Sequence, residues 1–343
     1  MLPSAAFQPP DVGQCLAGGP FSAFERPDKA VLVETNCTNA HTIEVVATGT
    51  LATTANGDSG SSGQPGGGAN GQANGNGASG QPGADASGQP NGQSSGNGLS
   101  GQPGGGASEQ PSGGVGGQPG GGGGLGQGGG GLPGWDSDAV RAAFAVCSQR
   151  VGEFVGGDWH AGKVFPFLTL PSSSAWSGGA RTYVCGVAEA SDDLFAPKER
   201  TGSLQGSLKD AGPMALTCVD LDGGELTADG FYKSVDAVMP VGCSEAHDTE
   251  FVGVWTAPAG AFPVDAQALN ATVSKACFTL VAGFLGLSEL QLFERKDIYT
   301  FWDGLTQAQW QLGDRVAHCF LNVSTAKTLH KSLKGLGTNP LPA

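Results

Sequence analysis

Apolar and polar positions follow two periods along this chain, and each period occurs twice in the same order. Segments 30–34 and 42–51, and later 237–241 and 250–255, alternate or run apolar with β-branched residues, which predicts paired strands. Residues 138–155 instead place Val140, Phe144, Cys147, Val151 and Phe154 or Val155 at spacings of three and four, which predicts a helix capped by Ser137 or Asp136. Residues 265–285 predict its twin, with Leu269, Val273, Cys277, Leu280 or Val281, and Phe284 as the stripe. Gly156 and Gly286 end the two helices. After a variable segment, Ser172 and Thr306 each stand four residues before a tryptophan and suit the cap of one short helical turn. Strands 181–187 and 315–323 close the two series. The expected fold class is α+β, with two homologous disulfide-stabilised units, each a small antiparallel sheet packed against one main helix.

Four landmarks make the duplication explicit, and every cysteine falls on one of them. Cys15 matches Cys218 as a cysteine in a short apolar run. Cys37, Ala40, His41 and Glu44 lie in register over Cys243, Ala246, His247 and Glu250. Cys147 and Phe154 match Cys277 and Phe284, and Trp176, Gly179, Arg181 and Cys185 match Trp310, Gly313, Arg315 and Cys319. Eight cysteines, four per repeat, read as a disulfide framework in an oxidising compartment. The expected pairs are Cys15–Cys185, Cys37–Cys147, Cys218–Cys319 and Cys243–Cys277, on the reasoning that a mid-helix cysteine meets the loop before the strand and the strand cysteines meet each other.

Between the first strands and the first helix, residues 52–134 are Gly, Ser, Asn, Gln and Pro, with Gly-Gln-Pro recurring at Gly63, Gly80, Gly88, Gly101 and Gly117. Such a segment has too little apolar surface to offset ordering entropy, so it is expected to be disordered. It stands where the second repeat has a short connection, so the first unit is discontinuous: 9–51 plus 135–190. A linker over 191–213, a second unit over 214–326 and a tail over 327–343 complete the expected organisation.

The net charge of -14 argues against nucleic acid as a partner. The first residues have neither a basic segment nor an apolar core, so any export leader or membrane anchor is expected to lie outside this chain. The best uninterrupted apolar stretch, 278–287, is shorter than a membrane span requires.

Gly13-Gln-Cys15-Leu16, Cys-x-x-x-His with Glu three residues on, a helical cysteine, and Trp with Gly-x-Arg before a last cysteine together resemble the actinobacterial septum-formation domain family. The resemblance covers both units as two tandem copies and omits the low-complexity insertion. It implies an envelope protein with a membrane anchor, an extracytoplasmic domain and a link to cell division, and it brings no established chemistry. The second unit departs at Leu216-Thr-Cys218, and Ala40 and Ala246 stand where the family usually has Pro.

The candidates for chemistry are the duplicated sets Cys37, His41, Glu44 and Cys243, His247, Glu250. Cys, His and Glu can ligate zinc, and His with Glu can move protons. Cysteines held in disulfides leave two ligands per unit, too few for a closed site, so neither a metal nor a cofactor is expected. The structural reading places each histidine at a strand entrance, holding the cysteine loop. Trp176 and Trp310 suit a sugar platform or buried packing, and Arg181 and Arg315 suit an anionic ligand or an acidic neighbour. No catalytic motif emerges. The expected function is a non-enzymatic extracytoplasmic binding or scaffold protein of the cell envelope, linked to septum formation or cell division. Its partners would be envelope or division proteins or cell-wall material, with no nucleic acid, and with the membrane only through an anchor outside this chain. The alternatives are an envelope hydrolase using His41 or His247 and a passive cell-wall spacer.

Overall fold

The computed structural model describes residues 9–18, 33–52, 131–191, 197–232, 235–324 and 328–342. Most of the low-complexity insertion and residues 30–32 of the first expected strand lie outside the described residues.

The first repeat contains β1 (Cys15–Ala17), β2 (Val33–Thr35), β3 (Ile43–Thr50), α1 (Asp138–Val155), β4 (Val164–Thr169), α2 (Ser173–Ser177), β5 (Thr182–Ala190) and β6 (Pro197–Lys198). The second contains β7 (Cys218–Gly223), β8 (Val235–Val241), β9 (Thr249–Thr256), α3 (Ala266–Leu285), α4 (Glu289–Glu294), β10 (Ile298–Gly304), α5 (Gln307–Leu312) and β11 (Val316–Val323). Strand order is β2-β1-β3-β5-β4 in one sheet and β8-β7-β9-β11-β10 in the other, antiparallel throughout. The two repeats therefore share one topology, differing by the short β6 on β5 and by the extra helix α4. The fold is α+β, with one main helix on each sheet.

Local chemistry sets the helix ends. The Ser137 hydroxyl accepts from Val140 N, and the Asp265 carboxylate accepts from Gln267 N and Ala268 N. Gly156 and Gly286 terminate the helices in the left-handed region at φ 82° and 75°, where a Cβ is disfavoured. Ser172 and Thr306 cap α2 and α5. The buried stripe of α1 is Val140, Phe144, Cys147, Val151 and Val155, and that of α3 is Val273, Cys277, Val281, Ala282 and Leu285. Helix α3 is long and apolar enough by length and composition to cross a membrane, contrary to the expectation from uninterrupted apolar runs. Its stripe faces the second sheet and Cys277 is bonded to β11, so here it serves as a core helix.

The disulfides are Cys15–Cys37, Cys147–Cys185, Cys218–Cys243 and Cys277–Cys319, and no cysteine is free. All lie within repeats, yet each expected pairing is replaced. Strand order explains the correction: β3 lies between β1 and β5, so Cys15 and Cys185 are two strand spacings apart, about 10 Å, too far for a bridge. The β1–β2 register pairs Cys15 with Thr35, and the β7–β8 register pairs Cys218 with Val241. Cys37 and Cys243, two residues further on, thereby reach the strand cysteines. The helix cysteines sit over β5 and β11 and staple each helix to its sheet.

A second correction concerns the expected linker and tail. Residues following β5 and β11 fold back onto their own repeats. Leu204 and Leu208 enter the first core, and Leu329 and Leu333 enter the second. Gly206 N and Leu208 N donate to Phe154 O and Val155 O, and Gly335 N and Gly337 N donate to Phe284 O and Leu285 O. Each return segment, called a strap below, thus satisfies carbonyls left open at the C-terminus of its helix.

Candidate functional site

His41 and His247 lie just before β3 and β9, where the backbone pairs with the straps. His41 N donates to Arg200 O at 2.9 Å and accepts back at its carbonyl from Arg200 N at 2.8 Å. His247 makes the same exchange with Leu329, at 3.1 and 2.8 Å. Three residues on, each glutamate turns inward and accepts from the strap. Glu44 takes Leu204 N at 2.6 Å, Ser203 Oγ at 2.7 Å and Arg200 Nη1 at 3.2 Å. Glu250 takes Leu333 N at 2.6 Å and Ser332 Oγ at 2.6 Å. Burial raises the Glu250 carboxyl above the usual range, against the lowering effect of Ser332, Leu333 and His247.

Ser203-Leu204-Gln205-Gly206 and Ser332-Leu333-Lys334-Gly335 are thus a fifth duplicated landmark. Sequence reasoning missed it because a Ser-Leu-x-Gly match is short and lay in segments assigned to a linker and a tail.

The imidazoles are enclosed. His41 is 0% exposed and His247 1%, so neither presents a ring to solvent. Nδ1 contacts Asn39 O at 2.9 Å in one repeat and Glu245 O at 2.8 Å in the other. A carbonyl accepts only, so Nδ1 carries a proton. Nε2 has no hydrogen-bond partner in either repeat. Both arrangements hold the cysteine loop and clamp the strap. With the neighbouring sulfurs oxidised, His and Glu are the two ligands that each repeat offers a metal.

The tryptophans and arginines pair with each other. The Arg181 guanidinium lies 3.7 Å from the Trp176 ring centroid and donates to Trp176 O and Ala180 O at 2.8 Å. Its internal partners are therefore an aromatic face and carbonyls rather than the acidic neighbour expected. Trp176 is buried. Trp310 is half-buried, donates from Nε1 to Gly260 O at 2.9 Å and meets Phe262 edge-on. Arg315 sits further from its tryptophan, at 6.0 Å, and its Nε is buried without a partner.

The one-sided feature lies between the repeats. A 3-10 turn, Trp159–Ala161, reaches from the first repeat onto the second. His160 Nδ1 is 2.7 Å from Asp158 Oδ1, and its Nε2 is 3.2 Å from Asp314 Oδ1 across the boundary. Burial alone would lower this imidazole, but hydrogen bonds and charge from Asp158 and Asp314 raise it to about 9, so it is a cation clasped by two carboxylates. Trp159 stacks on His160 at 3.5 Å and donates to Ser148 Oγ at 2.8 Å. Burial holds the nearby His318 below the usual histidine range. Beside the clasp opens a cleft of about 520 Å³ whose polar lining is Arg141, Ser148, Gln149, His160, Asp314 and Arg315. Neither His160 nor His318 has a counterpart in the other repeat, and that asymmetry was the sequence signal for this place.

Fold and site together define a pair of disulfide-braced α+β repeats with duplicated His–Glu anchors and a cleft lined from both repeats. A family model described as septum formation matches residues 132–319, more than half of the chain. The chain belongs to the septum-formation family, which links it to septum formation. The match is one continuous span from before α1 into β11, crossing both repeats. No curated protein and no solved structure gives a significant match to the chain.

Proposed function

We propose that this chain is a non-enzymatic, extracytoplasmic binding or scaffold protein of the cell envelope that serves septum formation, and that the cleft between its repeats is its ligand surface. The observation that carries the reading is the division of polar groups. Of the groups matched in both repeats, His41, Glu44, His247 and Glu250 are buried inside their repeats, while Arg315 joins Arg141 and His160 at the opening of the cleft. Arg315, with a buried unpartnered Nε, is suited to an anionic group of a division protein or of wall material. Eight cysteines, all in disulfides, support a compartment where bridges persist.

A hydrolase would need an accessible base. His41 and His247 are closed off, and both nitrogens of His160 are taken by carboxylates, which leaves none for a substrate proton. A passive spacer would have no use for a polar cleft. The test is incubation of the folded chain with isolated cell walls and with purified septal proteins. Binding to one of them without release of soluble wall fragments is expected. Fragment release that disappears in a His160→Asn variant would replace this reading with the enzymatic one.

A further inference from the structure

Among the described residues, the Nε2 atoms of His41 and His247 form a matched pair of buried ring nitrogens without hydrogen-bond partners. A buried polar atom left without a partner costs free energy unless something fills the place. In the first repeat Nε2 lies 3.7 Å from Glu44 Oε1. The strand cysteines complete the surroundings, because the β-ladders pair Cys15 directly with Glu44 and Cys218 directly with Glu250. One sulfur each of Cys15 and Cys37 and an oxygen of Glu44 lie within 4.8 Å of one another, as do the Cys218 sulfur, a His247 ring nitrogen and a Glu250 oxygen.

We propose that reducing the strand–loop disulfide of each repeat opens a four-ligand site for a zinc-type divalent cation, formed by Cys218, Cys243, His247 and Glu250 in the second repeat and by Cys15, Cys37, His41 and Glu44 in the first. Two thiolates, an imidazole and a carboxylate form a tetrahedral set that suits zinc. The supporting shell is already in place. Each Nδ1–H donates to a backbone carbonyl, which sets the ring orientation and leaves Nε2 as the atom available to a cation, and each carboxylate is held by a serine hydroxyl and a backbone N–H.

The reductant is a dithiol. Its thiolate attacks the half-buried sulfur of Cys37 or Cys243 and expels the thiolate of fully buried Cys15 or Cys218. Its second thiol then resolves the mixed disulfide. Two electrons pass to the protein, the dithiol leaves as a disulfide, and the cation later displaces one proton from each of the two new thiols. The helix–sheet bridges have both sulfurs at 0% exposure, so they stay closed and hold the repeats folded during the exchange. The two sites differ in strength. The Arg200 guanidinium already sits on Glu44 and repels an incoming cation, whereas Glu250 has no cationic side chain within ion-pair distance among the described residues.

The test uses the full chain, opened under native conditions with a phosphine, which does not itself supply thiol ligands, and mapped by alkylation. Cobalt(II) is then titrated as the spectroscopic probe. The expected result is alkylation confined to Cys15, Cys37, Cys218 and Cys243, followed by a tetrahedral cobalt spectrum with thiolate charge-transfer bands. Two ions should bind, zinc should displace both, and the tighter ion should be lost in His247→Gln and weakened in Glu250→Gln, which keeps an acceptor for the strap. Opening of the helix–sheet bridges first would overturn the proposal. So would an absent tetrahedral spectrum after correct opening, or a spectrum unchanged in both variants.

Discussion

Glu250 is a carboxylate enclosed at 2% exposure, and it stays there because two strap donors converge on it. Removing one donor leaves a buried acceptor short of a partner, whose loss is worth roughly 1.5–3 kcal/mol when the acceptor is charged. Ser332→Ala should therefore lower stability by about that much. Ser203→Ala should cost less, because Arg200 still holds Glu44. Denaturant midpoints of the two variants measure the difference, and equal losses would contradict the anchoring role. These residues were only partly legible in the sequence. His41, Glu44, His247 and Glu250 stood out by register, but what they hold lies far along the chain at Ser203 and Ser332. A short motif beyond the last strand gives no period to detect. Trp176 and Arg181 were legible as a pair, and their direct stacking was not, because spacing does not report which face a side chain takes.

At the scale of elements, the main helices and their caps followed directly from local pattern, since capping groups and apolar stripes act within a few residues. Strands β4 and β10 did not. Both lie at sheet edges, and β4 carries Pro166 at its centre, which an edge strand tolerates because one row of N–H groups has no partner strand. Disulfide pairing was illegible for a related reason: it depends on strand order, which periodicity does not encode. The straps read as connections in the sequence because neither carries a sustained helical or strand period, yet they insert leucines into both cores. A chain ending at Ser324 should therefore lose Leu329 and Leu333 from the second core, each worth about 1.5–3 kcal/mol, together with the donors to Phe284 O and Leu285 O. Hydrogen exchange should then show protection lost in α3 and β9 and retained in α1. Unchanged protection in α3 would mean that the strap is dispensable.

Across the whole molecule, the His160 clasp joins the repeats and gives the stability a definite pH dependence. Its folded value of about 9 lies above the ordinary 6.5, so its contribution is complete below pH 6.5 and is lost as pH rises through 9. That contribution is at most about 3 kcal/mol. Asp248 acts in the same direction at lower pH. Burial raises it from 3.8 to about 6, against hydrogen bonds from Thr249 and Leu221, so the protonated form is favoured in the fold and ionisation between pH 4 and 6 destabilises it. Melting temperature should fall from pH 6.5 to 9 in the parent chain, and His160→Asn should flatten that limb while leaving the acid limb unchanged. A parent chain whose stability rises over the upper range would contradict the clasp.

The central claim is that the chain acts in septum formation by binding through the cleft between its repeats. The most direct measurement is the position of the fluorescently tagged full chain in dividing cells, for the parent and for an Arg141→Glu, Arg315→Gln variant shown by its melting curve to be folded. The account predicts enrichment of the parent at the septum and an even envelope distribution of the variant. Equal septal enrichment of both would show that the cleft is not the surface that binds.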